Sequence, residues 1–109
     1  MKFDYPHMLV REDARTRLGL LGEYLQNRHG IQVTWTGDRG AFRGKYLVVP
    51  IEGELVLGDG VVHVNGKDPG FLWRGRATDY LRGKLEVYLD PRRPLEELPT
   101  GKTGKTGKK

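Results

Sequence analysis

The segment Gly66–Asp90, GKDPGFLWRGRATDYLRGKLEVYLD, places the tightest constraint on the fold, because it packs aromatic and aliphatic residues at helical spacing between two backbone stops. Trp73, Ala77, Tyr80, Leu81, Leu85 and Tyr88 recur at three- and four-residue steps, along one stripe of an α-helix. Asp68-Pro69 reads as the start: a carboxylate can cap free backbone N–H groups, and proline suits the first helical position. Asp90 reads as the end, since a residue before proline is pushed out of the helical region. Such a stripe needs a partner surface, and Ala77 at its centre predicts a close approach to a sheet.

The rest of the chain supplies that sheet. Lys2–His7 has Phe3 and Tyr5 on one side of a period-two pattern, and Pro6 confines it to an edge or a strand end. A first helix is expected over Arg11–His29, with Ala14, Leu18, Leu21 and Leu25 buried. Glu12 and Asp13 suit its positive end, Arg28 and His29 its negative end, and Gly30 a left-handed close. Gly19 and Gly22 each cost a helix interior ~1 kcal/mol relative to alanine. Gly22 flanks the stripe and implies close packing; nothing in the sequence explains Gly19. Ile31, Val33 and Trp35 alternate with polar residues, Gly37-Asp38 turns the chain, and a further strand covers Ala41–Lys45. In the next strand, YLVVPIEGELVL, Leu47, Val49, Ile51, Leu55 and Leu57 are in phase. Pro50 there argues for an edge or a break, and Gly53 for a bulge or a close approach. Asp59-Gly60 signals a hairpin into Val61–Val64.

The expected fold class is α+β: an antiparallel sheet of four to five strands with two helices packed on one face and the other face wet. Residues 1–90 form the single domain and residues 91–99 a proline-bounded extension, from which Leu95 and Leu98 can fold back. Residues 100–109, TGKTGKTGKK, have no apolar content and are expected to be disordered. The start of the chain shows no secretory signal and no stretch long enough to span a bilayer, so a cytoplasmic location is expected.

Composition excludes several chemistries. With no cysteine and no serine there is no disulfide, thiolate metal site or serine nucleophile. His7, His29 and His63 lie on different elements without metal-ligand spacing. Glu52 and Glu54 share a strand face, most simply as its polar half. The GKT repeats of the tail lack the glycine, strand and helix that a phosphate loop requires. No enzymatic role and no cofactor are expected. The net charge of +5 resides mostly in Lys102, Lys105, Lys108 and Lys109; the body sets fifteen basic residues against fourteen acidic ones. Lys84 projects toward the apolar stripe, where its stem can lie along apolar surface and its ammonium reach water. Arg76, Asp79, Arg82 and Glu86 alternate in sign at helical steps and read as a self-compensating ladder. Arg74, Arg76, Lys84 and the four tail lysines are the candidate partner contacts.

Pro6-His7 after a first strand, Asp13-Ala14-Arg15 opening a helix, the W-x-G-D of Trp35 to Asp38, the glycine-centred strand Ile51–Leu57 and the closing GKLEVYLD of Gly83–Asp90 occur in one order. That order resembles the polyhydroxyalkanoic acid system protein family, over roughly residues 2–90. The runs GKDPGFLWR and PRRPLEELP depart from its pattern. The resemblance implies a bacterial accessory or granule-associated protein whose partner is a polyhydroxyalkanoate granule surface or a coat protein. The alternative is a nucleic-acid-binding module, since helix, three strands, helix is also the order of the double-stranded-RNA-binding domain. Arg74 and Arg76 stand where that domain has a lysine cluster, and the basic tail offers a second, salt-sensitive contact to phosphates.

Overall fold

The computed structural model describes residues 2–46, 49–68 and 70–101, without the side chains of residues 46 and 71. In chain order the elements are β1 (Lys2–Pro6), α1 (Arg11–His29), β2 (Gln32–Thr36), β3 (Arg39–Tyr46), β4 (Val49–Gly58), β5 (Val61–Gly66) and α2 (Phe71–Tyr88), followed by a short 3-10 turn (Leu95–Glu97). The strands form one antiparallel sheet in the order β1-β5-β4-β3-β2. Consecutive strands from β2 to β5 are hairpin neighbours, and α1 carries the chain from the β1 edge to the opposite one.

Alternation decides which face the helices cover. Phe3 and Tyr5 pair with Val64 and Val62, these with Leu55 and Leu57, and Val33 with Phe42. All lie on the helix-covered side, where Phe42, Leu55, Leu57, Val62 and Val64 are buried. The other face presents Lys2, Asp4, Thr34, Arg43, Glu52 and His63 to solvent. Gly53 is the tightest point of the sheet: a Cβ there would lie 2.5 Å from the Asn65 carbonyl oxygen and 2.8 Å from the Phe42 ring. The close approach expected at Gly53 is therefore present. Pro50 is tolerated because pairing of β4 with β5 begins only at Gly53, leaving β3 as the sole neighbour of Pro50. Leu47 lies outside the described residues.

Ala14, Leu18 and Leu21 are fully buried, and Gly30 closes α1 at φ 70°. At Gly22 a Cβ would come within 3.3 Å of Val33, so the helix sits directly on β2. Gly19 leaves room for the Arg15 guanidinium, 3.4 Å from where a Cβ would stand.

Helix α2 departs from expectation at its start. It begins at Phe71 after Gly70, and Asp68 accepts a hydrogen bond from the Gly70 N–H (2.9 Å) ahead of the first turn instead of capping the helix. Pro69 lies outside the described residues. Its buried stripe is also shifted: Leu81, Leu85 and Tyr88 are in the core, whereas Trp73, Ala77 and Tyr80 are only partly covered. The close approach expected at Ala77 thus falls nearer the end of the helix. Beyond α2 the chain folds back. Leu98 is 5 % exposed and joins the core, while Leu95 stays at the surface. The Tyr88 hydroxyl donates to the Pro99 carbonyl, and Asn27 donates to the Thr100 carbonyl at 2.8 Å. Thr100 and Gly101 therefore pack with the body, contrary to a tail that is disordered from residue 100; residues 102–109 lie outside the described residues.

Two glycines should respond in opposite directions to alanine. Gly53→Ala should destabilise the fold by about 1–3 kcal/mol or more, because the added methyl has backbone on one side and a ring on the other. Gly75→Ala, in an exposed helical position with nothing within 4 Å of the new methyl, should stabilise by about 0.5–1 kcal/mol. Urea unfolding of the two variants beside the parent chain measures both.

Candidate partner-binding surface

The two ends of α2 are held differently, and the difference creates the surface. At its C-terminal end Arg17 of α1, only 5 % exposed, donates to the carbonyl oxygens of Tyr88 (3.3 Å) and Asp90 (2.9 Å) and pairs with Asp13 at 3.1 Å. A guanidinium at a helix C-terminus meets the negative end of the dipole and the carbonyls the helix leaves unpaired. Among the described residues no side chain caps the other end. Leu72 is 74 % exposed and the first turn carries no acidic residue.

Beneath the middle of α2 lies an apolar gap of about 30 Å³, lined by Leu25, Ile31, Phe42, Ile51, Ala77, Tyr80 and Leu81. Arg74 pairs with Asp68 through both carboxylate oxygens, one contact at 3.2 Å, and this pairing, ahead of the Gly70 N–H, holds Asp68 below the usual carboxylate range. Arg76 lies over the Trp73 ring with its guanidinium carbon 5.7 Å from the centroid. Lys84 lies above two tyrosines, its Nζ 4.3 Å from the Tyr24 ring centre and 5.5 Å from that of Tyr80, as its position beside the stripe suggested. His29 shares a hydrogen bond of 2.8 Å with the Tyr80 hydroxyl, and burial, followed by Arg28 and Lys84, lowers its pKa. The structure therefore gathers Arg74 and Arg76 with Leu72 and Trp73 at one end of α2, and sets Lys84 two turns further on. The four tail lysines lie outside the described residues. The charge ladder does not form: among the described residues no ion pair joins Arg76, Asp79, Arg82 and Glu86, and Arg82 instead lies 4.8 Å above the Phe3 ring centre.

This surface offers an exposed leucine and a partly covered tryptophan beside two guanidinium groups. No group of three or more His, Cys, Asp or Glu among the described residues could hold a metal ion. Glu52 and Glu54 each face a cation, Lys67 at 3.4 Å and Arg39 at 2.7 Å. His63 is half-exposed beside Asp4 (2.8 Å).

In comparison with protein families, residues 1–92 match the polyhydroxyalkanoic acid system protein family. The chain belongs to that family. No curated protein and no solved structure matches it. The family match includes Gly66–Arg74, which departed from the expected pattern, and stops before most of PRRPLEELP. In this polyhydroxyalkanoic acid system protein the segments that carried the resemblance are joints of the fold. Asp13 pairs with Arg17. Arg15 stacks 3.9 Å above the Trp35 ring centre and donates to the Gly37 carbonyl at 3.0 Å. Trp35 in turn lies across Gly40, where a Cβ would be 2.8 Å from its ring. Asp38 accepts from Arg11 (2.7 Å), which also reaches Asp59 (2.6 Å) and so ties the β2–β3 and β4–β5 turns to the start of α1. Sequence reasoning missed Arg17 and the exposed Leu72. The four-residue step from Asp13 was the available signal for Arg17, but it reads equally well as a surface pair.

His7 gives this fold a pH dependence. Its Nδ1 accepts from the Leu9 N–H at 3.1 Å, its Nε2 is buried with no partner among the described residues, and burial lowers its pKa below the usual value of about 6.5. The unfolded chain therefore binds a proton more readily at His7, and at His29, than the folded one does. Stability from these groups is complete above pH ~6.5 and declines as pH falls below it. Thermal melts at pH 7.5, 6.5 and 5.5 should show that decline, and His7→Asn should make it shallower; an identical slope in the variant would contradict the assignment.

Proposed function

We propose that the folded body attaches to the surface of polyhydroxyalkanoate storage granules in the bacterial cytoplasm, directly or through a coat protein, as a non-enzymatic accessory. Membership of the polyhydroxyalkanoic acid system protein family over residues 1–92 carries this reading. The exposed start of α2 fits it, since Leu72 stands in solvent and Trp73 is only partly covered, with arginines beside them. An apolar polymer surface rewards burial of such residues at ~25 cal/mol per Å², whereas phosphate binding would draw on the charges. The absence of serine and cysteine from the chain favours a binding role over covalent catalysis.

Co-sedimentation with purified native granules tests the proposal, using the full chain and a chain ending at Gly101, at low salt and at ~0.5 M, where exposed charges are screened over a few ångströms. Both chains should bind and resist salt. Leu72→Asp should weaken binding about tenfold or more, as expected for losing a buried leucine worth ~1.5–3 kcal/mol. No granule binding by either chain, together with salt-sensitive binding of duplex RNA, would overturn the proposal.

A further inference from the structure

The two edges of the sheet are chemically unlike. On its solvent face β1 carries Lys2, Asp4 and Pro6, a charge at the centre and a residue without an N–H at the end, both of which discourage further pairing. At the other edge β2, Gln32-Val33-Thr34-Trp35-Thr36, contains no charge and no proline. The hydrogen-bonding phase of β2 follows from its neighbour. The Leu57 N–H bonds the Asp38 carbonyl at 2.9 Å, which makes Arg39 and Val56 a non-hydrogen-bonded pair and turns the N–H and C=O of Arg39 toward Thr36. By alternation Thr36, Thr34 and Gln32 bond β3, and Val33 and Trp35 direct their N–H and C=O away from the sheet. Alongside runs a groove of about 390 Å³ between α1 and the strand, lined by Thr16, Gly19, Leu20, Gly22, Val33 and Trp35 among others. Gly22 brings α1 down onto β2, and the Arg15 guanidinium passes beside Gly19.

We propose that this edge pairs with a second copy of the chain, β2 against β2 in antiparallel register about a two-fold axis through Thr34. The strand is self-complementary in that register. Val33 faces the second copy's Trp35, a β-branched residue against an aromatic one; Thr34 faces Thr34; Gln32 faces Thr36. Each is a favourable cross-strand pair and no like charges meet. The phase agrees: Val33 and Trp35, whose N–H and C=O point outward, become the hydrogen-bonded pairs, and Thr34 sits at the non-hydrogen-bonded centre. The same operation on β1 would set Asp4 against Asp4 and present Pro6, which has no N–H to give. The contact is isologous and closes at two copies, joining two five-stranded sheets into one of ten strands. This inference stands apart from the granule reading, since it rests on the chemistry of β2 alone.

Sedimentation equilibrium of the full chain, together with Thr34→Lys and Thr34→Glu, tests it. Thr34 is exposed on the solvent face, so both variants should keep the parent circular dichroism spectrum. The parent chain should sediment at twice the 12.4 kDa chain mass. Each variant alone should dissociate at least tenfold more readily, because like charges meet at the axis, and an equimolar mixture of the two should recover the dimer. A parent chain that stays monomeric up to ~1 mM, a Thr34→Lys variant that dimerises as the parent does, or a mixture that fails to recover would each overturn the proposal.

Discussion

Arg17 is the interaction on which the arrangement of the helices depends. Among the described residues it is the only charged side chain in the buried set. Burying a guanidinium costs several kcal/mol unless its donors are met. Here a carboxylate and two carbonyls meet them, and both carbonyls lie at the end of α2, where the helix is richest in unpaired acceptors. The contact links the first turns of α1 to the last turn of α2, so the second helix is registered against the first at its C-terminal end. Tyr88, Leu89 and Leu98 follow into the core from that point, and burial, with nearby Tyr24, raises the pKa of the Tyr88 hydroxyl that bonds the returning chain.

The same anchoring explains why the opposite end of α2 is available. A helix of 18 residues fixed at its last turn places its first turns far from the clasp, over the end of the sheet where β4 is paired with β3 alone. The apolar gap lies between those turns and the clasp, beneath Ala77, Tyr80 and Leu81. Leu72 stands exposed and Trp73 only partly covered at that end, and Arg74 and Arg76 are held close by, one by a carboxylate and the other by an indole. On the proposed function a granule surface would meet these side chains, and the basic tail would be dispensable.

Much of this was legible in the sequence where one residue type has one physical use. α1 runs over the expected residues because its stripe, its charges and Gly30 all agree. Gly53 announced a close approach, and the β2–β3 and β4–β5 turns were marked by Gly37 and Gly60. Three features were not legible, for related reasons. The Asp68 carboxylate had two uses, an N-cap or a turn, and the turn with Arg74 won, delaying the start of α2. Arg76 and Arg82 had acidic neighbours at helical spacing but lie over aromatic rings, one of them on a strand some eighty positions earlier. Arg17 read as half of a surface ion pair because its other acceptors are backbone atoms more than seventy residues away, which no local pattern encodes. Gly19 gained a reason only once Arg15 was seen reaching Trp35 beside it.

If Arg17 registers α2 against α1, its loss should loosen one part of the molecule selectively. Amide hydrogen exchange of the parent chain and of Arg17→Met, a replacement that keeps apolar bulk without donors, measures this residue by residue. The account predicts faster exchange in the last two turns of α2 and in the returning segment around Leu98, with protection in β3, β4 and β5 retained. Exchange that rises by one common factor at every amide, or that leaves the end of α2 as protected as before, would contradict it.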